Sequence, residues 1–91
     1  MGGNLFWDEN FDGYIHGFGA DIPNLEKVSA KNPGSNWNDE TSSIIVLEGT
    51  WRFYEHINYG GLSIELGPGR YPNITQLGLP DNSISSLKRV G

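Results

Sequence analysis

The sequence predicts an all-β sandwich assembled from two similar Greek-key units, and three observations lead there. Thirteen Gly and five Pro in 91 residues, with no long helix-periodic run, point to short strands joined by turns. An aromatic–glycine hairpin occurs twice, as FWDENFDG over Phe6–Gly13 and as YEHINYGG over Tyr54–Gly61. A polar hexad also occurs twice, as NDETSS over Asn38–Ser43 and DNSISS over Asp81–Ser86, each running into an apolar stretch. The order hairpin, long loop, hexad, strand is therefore repeated. Units of half this length cannot bury a core alone, so the two must pack face to face. A long return after a hairpin is how a Greek-key connection reads in sequence.

Taken in order, Leu5-Phe6-Trp7 opens a strand and Asp8–Gly13 reads as a hairpin, with Asp12-Gly13 as a preferred tight-turn pair. Tyr14–Phe18 returns. Ala20–Trp37 holds Pro23, Pro33 and Gly34 and reads as a long connection, with a helical turn or short strand at Leu25–Ser29. Loops of that length are uncommon in small domains, so it is either functional or carries unrecognised structure. Ser43–Leu47 is a strand and Glu48-Gly49 a turn. Thr50–Glu55 follows as a strand whose alternation sets Trp51 and Phe53 on one face and Arg52 and Tyr54 on the other. Asn58–Gly61 turns the second hairpin, Leu62–Leu66 returns, and Gly67-Pro68-Gly69 breaks the strand. Arg70-Tyr71 begins a short strand, Pro72–Pro80 is a loop, and Ser85–Val90 closes the chain. The reading is one domain over 1–91, with the first Greek key over about 4–48 and the second over about 49–91.

Composition excludes several classes. Three Trp, four Tyr and four Phe supply an aromatic core. The formal charge of −5 argues against nucleic acid or an anionic membrane as partner, since both want clustered Lys and Arg. The absence of Cys removes disulfides and thiolate zinc sites. No apolar run reaches membrane-spanning length, and Met1-Gly2-Gly3-Asn4 shows no signal-peptide pattern. His16 and His56 are far apart and neither adjoins a nucleophile motif, so the expectation is a non-enzyme.

The hexads carry the chemistry. Asx side chains fold back on the backbone and tighten a turn. Two hydroxyls, two amide or carboxylate groups and exposed carbonyls then face one small volume, which suits a hard cation such as calcium. The plainer alternative is a polar loop capping a strand.

With both motifs in view, the chain resembles the βγ-crystallin family, through its aromatic-x6-Gly hairpin and its N/D-N/D-x-x-S/T-S motif. Gly49–Ser86, containing GTWRFYEHINYGG, LGPGRYP and LPDNSISS, is especially similar to an archaeal member. The similarity is strong over Asn38–Val90, recognisable over Leu5–Gly13 and absent over roughly Ile15–Trp37. It implies eight strands in two four-stranded sheets and two Ca2+ ions, each site joining the hexad of one motif to the hairpin of the other. By motif position it implies carbonyl ligands from Glu40 and Ser83, hydroxyl ligands from Ser42 and Ser85, and side-chain oxygens from Asp39 and Asn82 reaching across to the neighbouring site. Hairpin carbonyls would come from Trp7 and Glu55. Ser43 and Ser86 would tie each hexad to a hairpin without touching metal.

Three positions depart from the pattern. Trp7 stands where relatives often carry Glu, Asp12 where the second hairpin has Gly60, and Thr41 where the second hexad has the apolar Ile84. Only Asp39 is a charged ligand, so the expectation is weak-to-moderate, unequal sites, micromolar to sub-millimolar, that magnesium fills poorly. An alternative role is a calcium-dependent glycan- or surface-binding module of a larger protein, stacking sugars on Trp7, Trp37 or Trp51, although strand alternation favours a core role for Trp51. The expected state is a monomer. Ile45 and Leu47 add apolar surface that could support self-association and are expected to pack under the 15–37 segment.

Overall fold

The repeat in the sequence becomes a repeat of strand register. The computed structural model describes residues 2–28, 36–79 and 83–91. In it β1 (Gly3–Asp8) pairs antiparallel with β2 (Asp12–Phe18), Gly3 opposite Phe18 and Leu5 opposite His16. Then β4 (Trp51–His56) pairs in the same way with β5 (Gly60–Leu66), Trp51 opposite Leu66 and Phe53 opposite Ile64. After each hairpin comes a return strand, β3 (Ser43–Val46) beside β1 and β7 (Ser86–Arg89) beside β4. One further strand, β6 (Gly69–Tyr71), leaves the second unit and pairs with β3, giving a four-stranded sheet in the order β2-β1-β3-β6.

The other sheet has the order β5-β4-β7. Where the eighth strand is expected, the described residues hold one antiparallel bridge, Ile22 to Leu87, with reciprocal N–H···O bonds of 2.9 Å. Two features keep it that short. Pro23 follows at once and has no N–H to donate. On the other side the Asp21 carboxylate accepts the Arg89 N–H at 2.8 Å, so a side chain takes the donor that a longer strand would have used. Each unit thus sends one segment to the other unit's sheet.

Within Ile15–Trp37, which as sequence shows no similarity, residues 21–28 are structurally the counterpart of 70–77. The 3-10 turn Leu25–Lys27 is capped by Asn24, whose side chain accepts the Glu26 N–H. The turn Ile74–Leu77 is capped by Asn73 accepting from Thr75 N–H. The signal is a third short repeat, Pro23-Asn24-Leu25 and Pro72-Asn73-Ile74. Residues 29–35 lie outside the described set.

The core lies between the sheets and obeys the same pairing. Leu5 and Phe53, Phe18 and Leu66, Leu25 and Ile74, and Ile44 and Leu87 occupy equivalent places and are all buried. The symmetry breaks where Gly3 corresponds to Trp51. Trp51 is fully buried, packed edge-to-face with Phe18 at 4.9 Å between ring centroids. A Cβ on Gly2 would sit 2.5 Å from the Trp51 ring, so this glycine just before β1 leaves volume that the indole fills. The alternation expected for β4 holds: Trp51 and Phe53 are buried, while Arg52 on the outer face pairs with Glu65 at 2.7 Å. Leu47 lies just past β3 and is 54% exposed, so the described part of the Ile15–Trp37 segment does not cover it.

Candidate metal site

Both hairpins turn by a device that the Asp-Gly reading did not anticipate. The turn spans Glu9–Phe11 or Ile57–Tyr59 with a non-helical backbone, and Asp12 already belongs to β2. Asn10 and Phe11, and likewise Asn58 and Tyr59, have positive φ between 56° and 62°. Asn tolerates this conformation, whereas an aromatic residue does so only when its surroundings compel it. The compulsion comes from the hexads. Ser43 Oγ accepts the Phe11 N–H at 3.0 Å and donates to Asp8 O at 2.6 Å. Ser86 Oγ accepts the Tyr59 N–H at 3.1 Å and donates to His56 O at 2.6 Å. The aromatic rings close the turn, Phe11 edge-on to Phe6 at 5.6 Å and Tyr59 to Tyr54 at 5.5 Å. Gly13 and Gly61 complete it with φ of +79° and +76°, and a Cβ on either would lie 2.5 Å from the side chain of Asp8 or His56. Asp12 causes no departure, since its φ of −117° matches the −108° of Gly60.

The final serine of each hexad bonds the hairpin of its own motif. The flanking bonds agree: Ser42 N donates to Phe6 O and Ser85 N to Tyr54 O, both at 2.9 Å. Trp7 therefore sits beside the first hexad and Glu55 beside the second. In each hairpin the ladder register shifts between the neighbours of that residue, Phe6 and Asp8 or Tyr54 and His56, so a β-bulge falls at Trp7 and at Glu55. Bulges re-aim backbone groups and are common beside functional sites.

What crosses between motifs is Asp39. Its backbone is left-handed at φ 56° and its N–H donates to Ile84 O at 3.0 Å. Its Oδ1 accepts from Ser85 Oγ at 3.0 Å and its Oδ2 from Asn38 Nδ2 at 3.2 Å. Asp39, Glu55, Ser83 and Ser85 line one pocket of about 480 Å3, together with Asn38, His56, Ile57 and Glu26. Four of the eight residues singled out in the sequence are thus brought together. Trp7, Glu40 and Ser42 belong to the first hexad and its hairpin, and Asn82 lies outside the described residues. Glu26 was not anticipated; it enters from the Pro-Asn turn.

The donor set is almost all oxygen. Among the described residues no three His, Asp or Glu side chains converge to hold a metal, and the pocket's lining offers the Asp39, Glu26 and Glu55 carboxylates with the Ser83 and Ser85 hydroxyls. Asn38 Oδ1 is buried with no hydrogen-bond partner among the described residues, an acceptor left over beside an oxygen-lined pocket. Both features fit a hard cation of variable coordination. The one imidazole is His56, 3.4 Å from the Glu55 carboxylate and largely exposed.

The tryptophans offer little to a sugar. Trp37 and Trp51 are 2% and 0% exposed. Trp37 packs edge-on to the half-buried Trp7 at 5.3 Å and against His16 at 5.9 Å, where burial holds the imidazole pKa below its usual 6.5.

Two Greek keys that exchange a segment and are joined at their hexads define a Greek-key β-sandwich of paired motifs. The beta/gamma crystallin family model matches residues 4–90, and the chain belongs to the βγ-crystallin family. It is 43% identical over 72 residues to a beta/gamma-crystallin of Ciona intestinalis, covering 79% of this chain and 86% of that protein. The solved structure of an archaeal βγ-crystallin superposes with a TM-score of 0.81 at 41% identity, over 99% of this chain and 100% of that one. A transition-metal-ion-binding βγ-crystallin from Methanosaeta thermophila superposes with a TM-score of 0.77 at 29% identity, over 97% and 99% of the two chains. The chain spans only 29% of human gamma-crystallin B, which it also matches. Among the described residues no helix is long and apolar enough to cross a membrane.

Proposed function

We propose that this chain is a calcium-binding βγ-crystallin domain with two sites, and that the ions staple its two motifs together. The observation that carries the reading is Asp39: a carboxylate from the first hexad meets the hydroxyl of Ser85 in the second, in a pocket shared with Ser83 and Glu55. In this reading Ser83 and Glu55 supply carbonyls, Ser85 a hydroxyl and Asp39 a carboxylate to the second site. Glu40, Trp7, Ser42 and Asn82 have the corresponding roles in the first. The proposal assigns no catalysis.

Oxygen donors favour calcium over softer ions, and an open, irregular shell disfavours magnesium. The Methanosaeta relative is described as binding transition metal ions, and His56 lines the pocket, so nickel is the informative competitor. A ligand that binds only the folded state adds about 2.7 kcal/mol at one hundred times its dissociation constant. For a domain of this size that raises the melting temperature by on the order of 10 °C per filled site. Thermal melts with calcium, nickel or chelator test the reading. Calcium should raise the transition strongly, and Ser42→Arg and Ser85→Arg should each remove part of the gain. A transition unmoved by millimolar calcium, or one moved more by nickel than by calcium, contradicts the proposal.

A further inference from the structure

Resting on the calcium reading above, we propose that Glu26 is an affinity-setting carboxylate of the second site and makes that site the tighter of the two. Both Pro-Asn turns are pinned to a hexad by its fifth residue: Leu25 N donates to Ser85 O at 2.9 Å, and Ile74 N to Ser42 O at 3.1 Å. The next residue is oriented identically in both, its N–H held at 2.9 Å by the Asn side chain, Asn24 for Glu26 and Asn73 for Thr75. At this matched position the two motifs differ in chemistry. Glu26 lines the pocket of Asp39, Ser83 and Ser85. Thr75 carries no charge, and its hydroxyl is turned back onto Asn73 Oδ1 at 2.6 Å.

Glu26 belongs to no part of the hexad or hairpin motif. Its side chain is exposed, so its charge needs no desolvation before an ion arrives. It does not converge with Asp39 and Glu55 into a preformed ligand group, so it acts through its field on the pocket. A unit negative charge several ångströms from a divalent ion, screened as in water, strengthens binding about five- to tenfold at low salt, and less as salt is added.

The test is a calcium titration at low and high salt of the wild type and of Glu26→Gln, Thr75→Glu and Glu48→Gln, with circular dichroism to verify the fold of each. Glu48 lies in the β3–β4 turn, away from the pocket, and controls for loss of one negative charge. Glu26→Gln should weaken one of two sites about five- to tenfold at low salt, Thr75→Glu should tighten the other, and Glu48→Gln should change neither. If the wild type binds two ions and Glu26→Gln matches it, or matches Glu48→Gln, the role of Glu26 is overturned while the calcium reading stands. A wild type that binds no calcium overturns both.

Discussion

Phe11 and Tyr59 hold a left-handed backbone that costs an aromatic residue about 1–2 kcal/mol, and Ser43 and Ser86 hold them there. Each serine is fully buried and bridges two backbone groups of one hairpin turn. Removing the Ser86 hydroxyl strands the Tyr59 N–H and the His56 carbonyl together, so Ser86→Ala should lose about 2 kcal/mol in denaturant unfolding. Thr41 is the opposite case. Its hydroxyl is buried with no hydrogen-bond partner among the described residues, where the second hexad has Ile84. Thr41→Val should therefore match or exceed the wild type, by up to about 1 kcal/mol in the same experiment. A Thr41→Val loss as large as that of Ser86→Ala would show that the hydroxyl has a partner after all. The roles of the two serines were legible in sequence because the motif marks them. The turn type was not, because Asp12-Gly13 is a stronger local signal than Asn10-Phe11, and only the distant Ser43 makes the latter fold.

At the level of elements, the hairpins and Pro-Asn turns brace one another across the motifs. Asn58 N–H donates to Pro23 O at 2.7 Å, and Asn10 N–H to Pro72 O at 3.0 Å. Asn is the residue that accepts φ near +58° while presenting that donor. Asn58→Ala should cost about 1 kcal/mol through backbone strain, whereas Asn58→Gly, which adopts the conformation freely and keeps the N–H, should cost less. Equal losses, measured by chemical denaturation, would mean that the side chain itself does the bracing. The hairpins were readable because an aromatic, an Asn and a Gly recur at fixed spacing. The segment after β2 was not readable. Its likeness to Arg70–Leu77 rests on three residues, and the strand it contributes is a single bridge with the Asp21 side chain standing in for a ladder bond. Glu26 went unseen for the same reason, since its place is defined by a turn that periodicity does not mark.

At the scale of the whole molecule, two units that cannot bury a core alone exchange segments, share one core and meet at Asp39 and Ser85. The sandwich class and the pairing of copies followed from the doubled motifs. Which hexad faces which hairpin did not, because sequence order leaves both pairings open and the choice is made by hydrogen bonds such as Ser43 to Asp8 and Ser86 to His56. On the function proposed above, the paired hexads bind calcium and in doing so lock the motifs together. The decisive measurement is isothermal titration of the chelator-stripped protein with calcium. It should find two ions per chain in the wild type, one in Ser42→Arg, one in Ser85→Arg and none in the double variant, with each single variant folded. No calcium heat in the folded wild type, or two ions still bound by the folded double variant, would contradict it.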